Sequence, residues 1–377
     1  MSGRLMRLLG ATAAILTLAD AAHVTAETVF QVGVIGDPAP TSQFPTFSGP
    51  VELVALDRLA VFTDGRVWRT DGTTRGTTLL VDAWTGGGLA DVKHLVRAGS
   101  LVYFVADDGS HGYELWRTDG TPRGTTIVQD ICPGSCDGVA ARYWYPPVAG
   151  FVAAAGQAVV FVASDGLHGD ELWRSDGTAT GTRLLADLRA GSDGSGPGAL
   201  VTVGDLVFFS AGGDLGAGLW RTDGTAAGTV FLGSQGLASA ALGTYAVRDA
   251  EIFFASPNGA LGVELWASDG TPAGTRMLAD VCNGECSGLQ DPNLPSESMA
   301  VVGRTVYFAG YRPETGVELW TTDGSAAGTR LLQECNPGPA SGVWSLVSDG
   351  ERLFAIAEDG AHGPELWVAP PGGGPRQ

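Results

Sequence analysis

The chain has 377 residues, of which 22 are basic and 41 are acidic, and its net charge is −19. Charged residues make up 17% of the chain, below the roughly 25% usual in soluble domains, which suits strands buried on both faces. A strongly acidic surface is repelled by nucleic acid and by anionic membranes, so the charge argues against both as partners. We read the acidity as a solvated surface, because no D-x-D-x-D-G loop supports calcium binding.

The first 26 residues have the pattern of a signal peptide. Arg4 and Arg7 give a basic start, Leu8–Leu18 is apolar, and Val24–Ala26 resembles a cleavage site. The apolar stretch is too short to span a bilayer, which takes about 20 residues. We therefore expect export to the cell surface or the medium, no membrane insertion, and a mature single domain over residues 27–377.

Residues 28–35 (TVFQVGVI) alternate in polarity and are rich in β-branched side chains, which predicts a strand. A loop rich in proline and serine follows over residues 37–50. The rest of the chain is built from near-copies of one unit.

Seven tryptophans mark the repeated unit, at spacings of 46 to 57 residues. They are Trp68, Trp116, Trp173, Trp220, Trp266, Trp320 and Trp367. Three positions after the first six come Asp71, Asp119, Asp176, Asp223, Asp269 and Asp323, each followed by glycine. Each unit contains four short strand patterns and no helical pattern, which is typical of a propeller blade.

The second copy, ELWRTDGTPRGTT over Glu114–Thr126, resembles the ELWxxDGTxxGT repeat of secreted and surface proteins of bacteria, sometimes labelled hyalin-like. The resemblance covers roughly residues 50–370 and implies a β-propeller outside the cytoplasm. That family has no agreed enzymatic activity and offers no catalytic residues to carry over. Three copies depart from the pattern: the first lacks the glutamate, the fourth has Gly218 in its place, and no DGT follows Trp367.

The repeats predict an all-β, seven-bladed propeller of four-stranded antiparallel blades. The blades are expected at approximately residues 50–84, 89–132, 148–188, 198–233, 240–282, 298–335 and 343–369. The last repeat lacks a fourth strand, and we expect residues 28–35 to supply it and close the ring, which also covers an open sheet edge. An eight-bladed ring or an open array is the alternative.

The repeated side chains are expected to be structural. We predict that the tryptophans pack between blades and that each DGT aspartate accepts backbone N–H bonds in its turn. The glutamates need partners inside a packed strand, and we expect loop donors to bind them and so hold neighbouring blades together. They are Glu114, Glu171, Glu264, Glu318 and Glu365. An acid/base pair from neighbouring repeats is the enzymatic alternative.

Three histidines and five cysteines lie in equivalent loops. His111, His168 and His362 each occupy a D-G-x-H-G loop, which favours a turn position over a metal ligand. In an exported protein the cysteines predict two local disulfides, not a zinc site. These pairs are Cys132 with Cys136 and Cys282 with Cys286. Cys335 is placed at the first of these positions in the sixth repeat without a mate, as a free thiol or a link to another chain.

A candidate ligand-binding surface lies where the second-to-third loops and the loops after fourth strands share one face. It includes His111, His168 and an aromatic insert with Arg142, Tyr143, Trp144 and Tyr145. Aromatic rings in a loop can stack on a sugar or anchor a protein, or pack over the blade edge. We predict a non-enzymatic binding or structural scaffold without cofactor, metal or catalytic residues. The alternative is an extracellular glycan hydrolase or lyase.

Overall fold

The computed structural model describes residues 52–63, 65–81, 92–139, 150–234, 244–289 and 298–369. Over these ranges the regular structure consists of 27 β-strands in seven antiparallel sheets. The prediction of an all-β fold is confirmed. None of the residues in these ranges forms a helix with the length and apolar composition needed to cross a bilayer.

The strands follow one another closely along the chain. The first two sheets contain β1 (Leu53–Leu56), β2 (Leu59–Thr63), β3 (Val67–Thr70), β4 (Thr78–Val81), β5 (Lys93–Ala98), β6 (Leu101–Asp107), β7 (Tyr113–Thr118) and β8 (Thr126–Ile127). The third and fourth contain β9 (Val152–Ala155), β10 (Ala158–Ala163), β11 (Glu171–Ser175), β12 (Arg183–Ala186), β13 (Gly198–Val203), β14 (Leu206–Gly213), β15 (Gly216–Thr222) and β16 (Val230–Gly233). The last three contain β17 (Tyr245–Arg248), β18 (Glu251–Asn258), β19 (Gly262–Ser268), β20 (Arg276–Ala279), β21 (Met299–Val302), β22 (Thr305–Arg312), β23 (Gly316–Thr322), β24 (Arg330–Gln333), β25 (Val343–Ser348), β26 (Leu353–Ala357) and β27 (Glu365–Ala369).

Each sheet is a meander of consecutive strands, the form of a propeller blade. Six sheets have four strands and the last, β25-β26-β27, has three. We number them blades 1 to 7 in chain order. The prediction of seven antiparallel blades is confirmed. The closing strand predicted at residues 28–35 lies outside the described residues.

The blades are buried on both faces because their inner strands are almost wholly apolar. In β10 every residue from Ala158 to Ala163 is buried. In blade 2 the ring of Phe104 stacks on that of Trp116, with centroids 6.3 Å apart, and the same pair recurs in blades 1, 4 and 6. Five of the seven repeat tryptophans are buried, and Trp68 and Trp116 are half-buried. The tryptophans therefore contribute to the apolar core, as expected.

The third and fourth strands of most blades do not pair in perfect register. In blade 3 the pairing shifts between Leu172 and Trp173, so that Leu185 on the fourth strand is an extra residue. The same shift occurs in blades 1, 4, 5 and 6. Leu185 is buried. A bulge of this kind bends the strand, and it does so just before the chain leaves the blade.

The chain divides into two compact units, Met1–Ala141 with Asp176–Thr182, and Arg142–Ser175 with Arg183–Gln377. In the first unit, blades 1 and 2 share one apolar core. In the second, blades 4 and 5, blades 5 and 6, and blades 6 and 7 do the same. A blade therefore completes its core with residues of its neighbour, as a repeat fold requires.

Candidate functional site at the loop ends of the blades

Two kinds of loop meet at one end of each blade. The hairpin loop joins the second and third strands, and the return loop follows the fourth strand. In blade 3, Gly196 N donates to Asp170 O at 3.0 Å, and in blade 5, Val263 N donates to Ser287 Oγ at 3.0 Å. Each bond joins a return loop to the hairpin-loop side of its own blade. We call this end the loop end, and it is where the candidate ligand surface was predicted.

The repeated glutamates lie beneath the return loops. Glu114, Glu171, Glu264 and Glu318 have no exposed surface. Glu171 accepts hydrogen bonds from Leu188 N and Arg189 N at 3.1 Å, Ser195 N at 2.7 Å and Ser195 Oγ at 2.6 Å. The other three glutamates accept N–H bonds from residues 17 or 18 positions further along. The expected loop donors are therefore present.

The peptide groups that bind Glu171 also bind the next blade. Leu188 O accepts a hydrogen bond from Asp214 N, and Ser195 O accepts one from Gly212 N, both at 2.8 Å. Each of these two peptide groups thus donates its N–H to blade 3 and accepts an N–H from blade 4. Hydrogen bonds chained in this way polarise and strengthen one another.

Blade 5 repeats the arrangement with blade 6. Glu264 accepts bonds from Val281 N at 2.5 Å and Gly288 N at 2.9 Å. Val281 O and Gly288 O accept bonds from Arg312 Nε and Tyr311 N of blade 6, each at 2.7 Å. The expectation that the glutamates hold neighbouring blades together is thus confirmed for these pairs, through the return loop rather than by direct contact.

One glycine of the return loop is required by the close approach of the glutamate. A Cβ on Gly138, 24 residues after Glu114, would lie 2.1 Å from Glu114 Oε1. The equivalent glycines in blades 5 and 6 are equally crowded by their glutamates. In blade 3 the position is Ser195, whose hydroxyl adds a donor.

Burial dominates the electrostatics of these carboxyl groups. It raises the pKa of Glu114, Glu264 and Glu318 to about 7 and raises the pKa of Glu171, while the donated N–H groups oppose the shift. An acidic residue beside the loop donors, such as Asp280 next to Glu264, raises the pKa further. A pKa near 7 is useful in acid/base catalysis, but these four groups are closed to solvent.

Two repeats depart from this arrangement. Glu365 in the last blade is exposed, so the prediction that it binds loop donors is wrong within the described residues. In blade 4, a side chain at Gly218 would meet Gly233 O at 2.2 Å. The backbone of the fourth strand therefore occupies the space that the glutamate fills elsewhere.

The three histidines each form one local pair. The Nδ1 atoms of His111, His168 and His362 lie 2.8 Å from Oδ2 of the aspartate three residues earlier. In the hairpin loop of blade 2, Asp108 Oδ1 also accepts the N–H groups of Ser110 and His111. The hydrogen bond from the aspartate raises the pKa of all three imidazoles. These contacts agree with a turn role.

The return loops of blades 2 and 5 are closed by the predicted disulfides, Cys132–Cys136 and Cys282–Cys286. In blade 3 the equivalent positions hold Arg189 and Asp193, whose charged atoms are 3.7 Å apart. An ion pair thus replaces the covalent link in that loop.

The predicted position of Cys335 is wrong by one residue. Its N–H binds Glu318 at the place of Ile131 and Val281, which face the core, and Asn336 takes the place of the first disulfide cysteine. Cys335 is a buried free thiol, and burial raises its pKa to about 12. Because it is buried, it is not accessible for a link to another chain.

The DGT aspartates lie in the turns at the opposite end, here called the turn end. Asp269 Oδ1 accepts bonds from Thr271 N at 2.8 Å and Thr271 Oγ1 at 2.7 Å. The other five aspartates bind the residue two positions on in the same way. The bond from the threonine side chain lowers the pKa of Asp269.

Arginines at the turn end make contacts that the sequence reasoning missed. Arg69 of blade 1 donates to Gly120 O of blade 2 at 2.9 Å, and Arg221 of blade 4 donates to Gly270 O of blade 5 at 3.1 Å. The acceptor is the carbonyl of the DGT glycine in the next blade. The signal was present, because arginine directly follows the tryptophan in blades 1 to 4.

The aromatic insert with Arg142, Tyr143, Trp144 and Tyr145 lies outside the described residues. Within the ranges that are described, no group of three or more His, Cys, Asp or Glu side chains is arranged to hold a metal ion. The structure therefore brings together glutamates, return loops and hairpin loops at the loop end.

Comparison with known proteins gives matches to structures only. No family model and no curated protein matches this chain. It is similar to a puromycin hydrolase (14% identity over 85% of this chain and 51% of that one, TM-score 0.39). It is also similar to TolB from Acinetobacter baumannii (13%, 85%, 65%, 0.38) and to a Niastella koreensis GH74 enzyme (10%, 84%, 51%, 0.46). The chain thus spans about half of two of these proteins and 65% of TolB. Identities this low indicate nothing about shared activity.

Proposed function

We propose that the protein is an exported, non-enzymatic scaffold that binds a protein or a glycan through the loop ends of its blades. The observation that carries the proposal is the double attachment of the return loops. The return loop of blade 3 is bonded both to Glu171 of its own blade and to the backbone of blade 4. A loop held in place before a partner arrives loses little entropy on binding.

The chemistry of the repeat supports binding over catalysis. An acid/base enzyme needs carboxyl groups that a substrate can reach. The carboxyl groups whose pKa lies near 7 have no exposed surface. Loops on a rigid scaffold are also where recognition residues concentrate.

Two observations support export. The two disulfides are of the kind that persists in oxidising compartments outside the cytoplasm. The first 26 residues have the composition of a signal peptide.

A glycan array, a panel of candidate protein ligands and a panel of glycan hydrolase and lyase substrates test the proposal on purified protein. We expect binding to a member of the first two sets and no turnover of the third. Binding should weaken in a His111→Ala, His168→Ala variant at the loop ends. It should persist in an Arg75→Ala, Arg123→Ala variant, whose changes lie in exposed DGT turns. Turnover of a glycan would favour the enzymatic alternative, and equal effects of both variants would contradict the loop-end assignment.

A further inference from the structure

Two leucines at the loop ends of blades 3 and 4 are strongly exposed. Leu167 and Leu215 expose 71% and 66% of their surface, more than any other large apolar residue in the described ranges. Single exposed leucines are common on protein surfaces. These two are notable because they lie in neighbouring hairpin loops.

Both hairpin loops are bonded to the return loop of residues 187–197. On the blade 3 side, Asp170 O accepts the N–H of Gly196. On the blade 4 side, Asp214 N donates to Leu188 O at 2.8 Å. The leucines therefore flank one loop, whose own position is fixed by Glu171.

The backbone at each leucine is held in an outward conformation. Leu167 N donates to Asp165 Oδ1 at 2.9 Å inside a capped turn. Leu215 lies at the tip of a two-residue hairpin between the paired residues Gly213 and Gly216, and Gly216 has φ 99°. A tight hairpin of this kind relies on glycine in a left-handed conformation. Neither leucine can turn inward without loss of these bonds.

The charges around the leucines select a cationic partner. Five aspartates lie in the hairpin loops 164–170 and 213–216 and in the return loop 187–197: Asp165, Asp170, Asp187, Asp193 and Asp214. Arg189 is the one arginine in these three described segments, and it is paired with Asp193. A second copy of this chain, at net charge −19, would be repelled, as would an anionic membrane surface.

We infer that Leu167 and Leu215 form a contact site for a cationic, amphipathic segment of a partner protein. The inference rests on the proposed function and names its partner chemistry. Apolar side chains of the partner cover the two leucines, while its lysines or arginines face the surrounding aspartates. Apolar contact inside a charged rim is the usual anatomy of a protein interface.

A helical peptide of leucine and lysine, with all leucines on one face, is a suitable probe. Its affinity for the full mature chain is measured by calorimetry at low and high salt. The same composition with the pattern scrambled, and a version with glutamate for lysine, serve as control peptides. We expect the amphipathic cationic peptide to bind most tightly and to bind more weakly as salt rises.

Two pairs of variants locate the site. Leu167→Ser with Leu215→Ser should weaken binding of the peptide by roughly tenfold or more, since two apolar contacts are lost. Asp187→Asn with Asp193→Asn should also weaken it, whereas the matched pair Asp205→Asn with Asp249→Asn, both exposed at the turn end, should not. Thermal unfolding of each variant shows that the fold is retained.

Equal binding by the leucine variant, or no binding of the cationic peptide, would overturn this inference. A ligand found on the arrays and mapped to the histidine loops would still support the proposed function in either case. Failure of the array experiment with success of the peptide would restrict the binding site to blades 3 and 4. The two proposals are thus tested separately.

Discussion

Glu264 shows how the repeat accommodates a carboxyl group in a closed interior. Its two oxygens accept the N–H groups of Val281 and Gly288, and no part of the residue is exposed. Buried polar atoms must be satisfied by hydrogen bonds if they are not to cost stability. The glutamate and the return loop therefore depend on each other, since the loop N–H groups would otherwise be buried without acceptors.

The pH dependence of stability follows from the raised pKa. Burial raises the folded-state pKa of Glu264 to about 7, above the ordinary value of 4.5, so the folded chain holds a proton that the unfolded chain releases. We expect the free energy of unfolding to fall as the pH rises from about 5 to 8. Glu264→Gln removes this titration and leaves one N–H without an acceptor, because an amide nitrogen does not accept hydrogen bonds.

Urea unfolding of the native chain and of Glu264→Gln over this pH range measures the effect. The variant should be less stable by about 1–3 kcal/mol near pH 5, and the two curves should converge towards pH 8. A difference that grows as the pH rises would show that the carboxyl group is held ionised in the folded state instead.

Residue roles were predictable where the partner is near in sequence. The DGT aspartates bind two residues on, and the cysteine pairs are separated by four. Cys335 was misplaced because positions were counted from the tryptophan. The register of the return loop is set by its N–H contacts to the glutamate, as Cys335 N to Glu318 shows. That contact is not visible in a linear pattern.

At the scale of the blade, the arginine contacts at the turn end show that a position matters more than a residue number. Blade 5 has Ala267 after its tryptophan, where blades 1 to 4 have arginine. Arg276, directly opposite Ala267 on the fourth strand, donates to Gly324 O of blade 6 at 3.0 Å. The contact to the next DGT turn is thus kept from the neighbouring strand.

We expect Arg276→Ala to lower the free energy of unfolding by about 1 kcal/mol, the typical contribution of one hydrogen bond. Arg183 holds the same place in blade 3, where it is exposed, so Arg183→Ala is the matched control and should have little effect. Adding Ala267→Arg to Arg276→Ala should restore stability, as judged by denaturant unfolding. Equal losses in both single variants would count against the contact.

At the scale of the whole molecule, the number and order of blades were predictable because each repeat encodes one meander. The blade-to-blade hydrogen bonds were less so, since residues such as Ser195 and Gly212 carry no pattern of their own. The last blade has three described strands, and Ile356 and Leu366, which are paired across it, are 40% and 61% exposed. The closing role of residues 28–35 remains a prediction.

Deletion of residues 28–35 from the mature chain tests that closure. We expect a lower unfolding temperature and self-association, because an open edge at β27 can pair with other chains. Deletion of the equally long tail, residues 370–377, is the control and should leave both properties unchanged. Thermal unfolding and size-exclusion chromatography are the measurements. Equal behaviour of the two deletions would remove the case for closure by this segment.

The central claim is that each buried glutamate fixes the return loop that links its blade to the next. Glu264→Leu removes both acceptor oxygens, whereas Glu365→Leu makes the same change at an exposed copy of the same repeat position. Denaturant unfolding of the two variants near pH 5, with hydrogen exchange at Val281 and Gly288, compares them directly. We predict a loss of about 2–5 kcal/mol and faster exchange for Glu264→Leu, and almost no change for Glu365→Leu. Equal stability of the two variants, with Val281 and Gly288 still protected, would contradict the account.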